Sequence, residues 1–157
     1  MRLKVFFALL IAAFGIWYFY YNKGTYSNTN GFELEYIDNN IIKEYKSYIL
    51  LNFCNKSNSS CIQFQPILKS VYDELADPNI KIFNIDIFEN PELLNVFPIS
   101  LIPIQFFYTQ EGENFKPNSS VGMKFKEMKF NNETYYFHIG ILSQEEIISV
   151  FKEMQNN

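Results

Sequence analysis

Apolar and polar positions along this chain change period several times, and asparagine, proline and glycine punctuate the changes. Two-residue alternation or short apolar runs over 32–37, 48–53, 80–86, 103–109 and 133–139 predict strands. Spacings of three and four over 39–46, 58–76, 90–97 and 143–154 predict helices. Strand and helix alternate at first, and a strand pair and a last helix follow. Alternation implies parallel strands joined by crossover helices, so the pattern predicts an α/β domain whose mixed central sheet is flanked by helices. Between the last two predicted strands, Lys116 to Asn132 shows no clear period. Met123 and Phe125, then Met128 and Phe130, alternate there as in a short extra hairpin, and core packing is the expected fate of these four side chains.

The first residues read differently. Met1-Arg-Leu-Lys4 precedes an uncharged apolar run from Val5 to Tyr21 that has no polar face, so residues 1–22 are expected to be a signal-anchor or a signal peptide. Ala13-Phe-Gly15 is a poor cleavage site, and the aromatic end Trp17-Tyr-Phe-Tyr-Tyr21 suits a membrane interface. An uncleaved anchor through residues 5–21 is therefore the expectation. Arg2 and Lys4 before the run, against Lys23 alone just after it, orient the N-terminus toward the cytoplasm. The body would then lie in the periplasm or outside the cell, or be released there if the segment is cleaved. Disulfides persist in those compartments. Residues 23–30 form a polar linker, and the domain is expected to span 31–157.

With 157 residues, 48% of them apolar and 18% aromatic, the chain can bury the core of one domain. A net charge of −4 without a basic cluster excludes a phosphate-binding surface, and with it nucleic acid as a partner. Two cysteines and one histidine fall short of a four-ligand zinc site, and no cofactor is expected. Chemistry is left to Cys54 and Cys61, which sit between the apolar run Tyr48-Ile-Leu-Leu-Asn-Phe53 and a helical segment carrying Pro66. The pair can cycle between dithiol and disulfide, form one static bridge, or be two unrelated thiols. Asn58, followed by Ser59 and Ser60, is a good helix cap, which would put Cys61 in the first turn, where the helix dipole favours a thiolate.

The run Tyr48 to Leu68, Asn84-Ile-Asp86 with Asn90-Pro-Glu-Leu-Leu94, the step Ile102-Pro103, and Gly140-Ile-Leu-Ser-Gln-Glu-Glu-Ile147 follow one another as in the thioredoxin family. The resemblance covers about 31–157. Ile102-Pro-Ile-Gln-Phe-Phe-Tyr108 and His138-Ile-Gly140 are similar to an exported bacterial subgroup with a long insertion, here about Glu111 to Asn132. The resemblance implies a thioredoxin-like fold, protein thiols or disulfides as partners, and a membrane electron donor for disulfide reduction. It also implies a cis Pro103 whose preceding backbone, at Ile102, pairs with a substrate peptide.

The chain departs from the family pattern at the thiols. The family carries C-x-x-C, with a proline five residues past the second cysteine, and Cys61 and Pro66 fit those places. Without a gap the attacking cysteine falls on Asn58, giving N-x-x-C, and Cys54 stands just after the strand. A four-residue insertion would instead carry Cys54 into the attacking role, in a C-x6-C pair with Cys61. Asn52 stands where many members bury a proton-accepting aspartate, so the resemblance implies slower exchange. His138 with the two thiols would suit copper, but its strand position before Gly140 and the cysteine spacing argue against a metal site. Asp86 and Glu89, at a strand end, are expected to be solvated or capping.

Overall fold

The computed structural model of the chain describes residues 37–157. The predicted strand 32–37 and the hydrophobic segment 5–21 lie outside the described residues, apart from Ile37. No helix among the described residues is long and apolar enough to cross a membrane.

The elements in order are α1 (Asn39–Tyr45), β1 (Tyr48–Cys54), α2 (Ser59–Leu75), β2 (Ile80–Asp86), a 3-10 turn (Pro91–Asn95) and β3 (Ile104–Tyr108). A second 3-10 turn (Ser120–Lys124), β4 (Lys126–Phe130), β5 (Glu133–Ile139) and α3 (Gln144–Gln155) complete the domain. The five strands lie in the order β2-β1-β3-β5-β4, with β1 and β2 parallel and every other neighbouring pair antiparallel. The expected mixed sheet flanked by helices is what forms.

Alternation along the strands sorts the core into two layers. Ile49, Leu51, Phe53, Phe83, Phe106 and Phe137 face the layer that also holds Ile42 of α1, Leu93 and Phe97. Leu50, Ile82 and Phe107 face the other, closed by Phe64, Leu68 and Val71 of α2 and Ile147, Val150 and Phe151 of α3.

Local chemistry sets the helix ends. Asp38 caps α1 by accepting from the N–H groups of Asn40 and Ile41. Ser143 and Glu146 form a reciprocal capping box at the start of α3. Asn131 and Asn132 both take positive φ, 49° and 66°, and close β4 onto β5 as a two-residue hairpin of the kind asparagine favours.

Two expectations are corrected. The helix expected over 90–97 is only the 3-10 turn Pro91–Asn95. Pro98 disfavours helical backbone at Phe97, which turns into the core instead. Of the four insertion side chains assigned to the core, Phe125 is buried and Phe130 packs against the first layer, but Met123 is 84% and Met128 39% exposed. Val121 in the second 3-10 turn and Phe125 just after it take the inward positions, which leaves Met123 outside, and β4 is an edge strand with little covering it.

The insertion is thus an elaborated hairpin fastened to α3. The N–H groups of Asn118 and Ser119 donate to the Glu153 carboxylate, and Lys124 pairs with Glu146. Gly122 lies against the Pro117 carbonyl so closely that a Cβ would not fit.

Candidate functional site

Cys54 is the last residue of β1, whose six residues from Ile49 to Cys54 are all buried. The chain then makes a tight turn. Asn55 accepts from Ser57 N–H through its side chain and from Asn58 N–H through its carbonyl. Asn58 caps α2, its side-chain oxygen accepting from the N–H groups of Ser60 and Cys61. This turn returns Cys61 to Cys54, and the two are joined in a disulfide with a Cα–Cα distance of 5.6 Å. Sequence alone left this pairing open. Both residues are nearly covered, at 4% and 5% exposure. Cys61 Sγ also accepts the Asn55 N–H at 3.3 Å, and Cys61 stands in the first turn of α2.

The strand register puts two transverse rows on the face under α2 and α3. The outer row starts with Asp86, paired with Cys54. The antiparallel register that sets Phe53 against Ile104 continues to Cys54 against Pro103, whose carbonyl accepts from Gly140 N–H. The Ile102–Pro103 peptide is cis, as the resemblance implied.

The inner row is a chain of buried polar side chains. Asn52 Nδ2 donates to Asn84 Oδ1 at 2.7 Å, Gln105 Nε2 donates to Asn52 Oδ1 at 2.9 Å, and His138 Nδ1 lies 2.7 Å from Gln105 Oε1. Because Gln105 spends its N–H on Asn52, its oxygen must accept, so neutral His138 carries its proton on Nδ1. Asn52, Gln105 and His138 are all at least 93% buried. Sequence reading took Asn52 and His138 singly and missed Gln105; only the register Asn52↔Gln105↔His138 joins them.

Electrostatics separate the two rows. Burial pushes the Asp86 carboxyl up, but N–H donation from Phe88, Lys56 and the Asn55 side chain, with the charge of Lys56, outweighs it and leaves the pKa below the ordinary value. The carboxylate beside Cys54 is therefore charged near neutral pH. It is neither merely solvated nor a helix cap, because it pins the turn that covers the bridge. Glu89 instead pairs with Lys56 at 2.9 Å on the surface.

Burial pushes His138 down to about 4; Lys124 and Lys126 reinforce the shift and Glu146 opposes it. An unfolded chain would bind this proton between about pH 6.5 and 4, whereas the fold would not. Stability is therefore expected to fall as pH drops through that window, by at most about 1.4 kcal/mol per pH unit. His138→Gln removes the titration and keeps a side chain that can donate to Gln105. Urea unfolding from pH 6.5 to 5, above the range of the carboxyls, should show a steeper loss in the wild type. Equal slopes would show that His138 is not the group responsible.

Four exposed apolar side chains, Ile62, Phe88, Leu101 and Ile141, come from segments that meet at the Cys54 end of the sheet. Among the described residues no group of three or more histidine, cysteine or acidic side chains could hold a metal ion.

The family model "Thioredoxin" matches residues 33–131, more than half of the chain. The chain belongs to the thioredoxin family. Solved structures agree on the fold. A chloroplastic thioredoxin z is 18% identical over 74% of this chain and 85% of its own, with a TM-score of 0.53. The Malassezia sympodialis thioredoxin is 11% identical over 78% and 89%, with a TM-score of 0.51. The Fasciola hepatica thioredoxin is 13% identical over 73% and 88%, with a TM-score of 0.50. No curated protein matches the chain in sequence.

Proposed function

We propose that this thioredoxin-family domain carries out thiol–disulfide exchange through Cys54 and Cys61, outside the cytoplasm and tethered to the membrane through residues 5–21. The observation that carries the reading is the closed bridge at the β1–α2 junction, beside Pro103, with the Cys61 sulfur already accepting an amide N–H. A sulfur so placed is prepared to hold negative charge, as the departing partner of an exchange must. The reactants are protein dithiols or disulfides, and the electrons come from or go to a membrane donor. Asn58 in the place of the family's attacking cysteine, and Asn52 in place of a proton acceptor, predict slow exchange.

A second reading has its own support. Both cysteines are about 95% buried, which suits a static bridge in a redox-inactive module holding an extended segment of a partner along Ile102 and Pro103. The exposed Phe88, Leu101 and Ile141 offer such a segment apolar contacts.

The two readings separate on the reduction potential of the couple, measured in the full-length chain by thiol labelling across glutathione buffers. A reversible couple between about −270 and −120 mV is expected for exchange. A bridge that resists reduction below about −300 mV would leave the binding module as the function.

A further inference from the structure

The insertion ends in β4, and β4 has a neighbour on one side only among the described residues. Its outer side is a row of backbone N–H and C=O groups open to another strand. The strand is short, Lys126-Glu-Met-Lys-Phe130, and its first four residues are exposed. It is also held in place. Asn131 Nδ2 donates to the Asn95 carbonyl at one end, and at the other the ion pair of Lys124 with Glu146 ties the segment before β4 to α3.

Register decides which groups face outward. Asn131 and Asn132 make a two-residue turn, so Phe130 and Glu133, which flank it, form a hydrogen-bonded pair. Such pairs alternate along an antiparallel ladder, so Met128 and Lys126 also spend their backbone groups on β5. Glu127 and Lys129 are left with theirs pointing out. The side chains alternate as well: Glu127 and Lys129 lie on one face with Tyr136 and Thr134, and Lys126, Met128 and Phe130 lie on the other. No ion pair among the described residues includes Glu127 or Lys129.

We propose that β4 pairs with β4 of a second copy of this chain, antiparallel about a two-fold axis at Met128, so that Glu127 of each copy meets Lys129 of the other. In this register the outward backbone groups of Glu127 face those of the partner's Lys129, and the reverse, which makes two hydrogen-bonded pairs. The same two positions bring two pairs of unlike charges together on one face. On the other face Met128 meets its own symmetry mate, and Lys126 lies opposite the aromatic ring of the partner's Phe130.

Charge selects this register over its neighbours. Lysines on an edge strand ordinarily guard it against pairing. Here Glu127 stands between two of them. An axis at Glu127 would set glutamate against glutamate, and an axis at Lys129 would set lysine against lysine, whereas the axis at Met128 opposes only unlike charges on that face. Pairing of β4 with itself is isologous, so it closes as a dimer with one continuous sheet and leaves no open edge for a filament. Five residues on each side make a small contact, and the dimer is correspondingly weak. The pairing is independent of whether the Cys54–Cys61 bridge exchanges or is static, because β4 lies at the opposite edge of the sheet from β2, with β3 and β5 between it and β1.

The test is crosslinking of the full-length chain in detergent under a mild copper–phenanthroline oxidant. The two native cysteines occupy each other, so an introduced cysteine is the one free thiol. Met128→Cys should give a disulfide-linked dimer, because facing residues of a non-hydrogen-bonded pair have α-carbons about 4.5 Å apart. Lys126→Cys, on the same face, should stay unlinked, since the axis separates it from its mate by about 14 Å. Adding Glu127→Lys to Met128→Cys should lower the dimer yield about tenfold, as both ion pairs become repulsive. Adding Lys129→Glu as well should restore it. A monomer with Met128→Cys, equal linking at positions 126 and 128, or a dimer yield indifferent to Glu127→Lys would overturn the proposal, the last two placing any association elsewhere, as on residues 5–21. These positions are on the surface, and urea unfolding of each variant separates a lost contact from a lost fold.

Discussion

Cys54→Ser is expected to abolish disulfide exchange and to lower stability by about 2.5 kcal/mol, the chain-entropy value for a loop this short. The loss of activity follows from the chemistry, since one remaining thiol cannot close a bridge on itself. The loss of stability follows from the geometry. The disulfide joins residues seven apart and fixes the turn that Asn55, Asn58 and Asp86 also hold, so part of the constraint survives in the variant. A reductase assay on a small protein disulfide, beside urea unfolding, reads both effects. Undiminished exchange would remove Cys54 from the chemistry. Intact partner binding with the stability loss alone would match the binding module.

Phe106→Ala should destabilise the domain by about 3–5 kcal/mol, the range for truncating a buried aromatic side chain. Phe106 is fully buried, and its ring centroid lies 5.8 Å from Phe53, 5.8 Å from Phe97, 6.1 Å from Tyr135 and 5.7 Å from Phe137. These four rings come from β1, the segment after the first 3-10 turn, and β5, so the cavity would open where the first layer joins three parts of the chain. Phe53 immediately precedes Cys54, and loss of its neighbour should also loosen the strand that carries the bridge. Equilibrium urea unfolding measures the cost. A loss under about 1 kcal/mol would mean that the aromatic layer is not packed tightly against Phe106.

The parts of this domain that sequence predicted well are those whose signals are local. Asn58 before a long periodic run marked the start of α2, and apolar spacing over 143–154 marked α3. Uninterrupted apolar runs marked β1 and β3, the two strands buried deepest. Misreadings arose where tertiary contacts decide. The alternation of Met123 with Phe125 could not say which side chain turns inward, because the contacts that hold the insertion come from Glu146 and Glu153 on a distant helix. The Cys54–Cys61 pairing depended on a turn that Asp86, 30 residues away from Lys56, helps to shape. The link from Asn52 through Gln105 to His138 depended wholly on register, which no single strand encodes.

That polar row also makes the sheet intolerant of assembly errors. Its hydrogen bonds join residues 32, 53 and 33 positions apart in the sequence, on four different strands. A slip of one residue in any strand turns that strand's side chains to the opposite face. Gln105 would then point among the phenylalanines of the first layer, and Asn52 and His138 would each lose a partner. A buried amide left unpaired costs about 1–3 kcal/mol, so one misplaced strand exacts that cost at several points together. An all-apolar row would accept the shifted pairing with far less loss. The four side chains thus act as a proofreading device for strand alignment, and they hold Cys54 at the one height where it meets both Asp86 and Pro103.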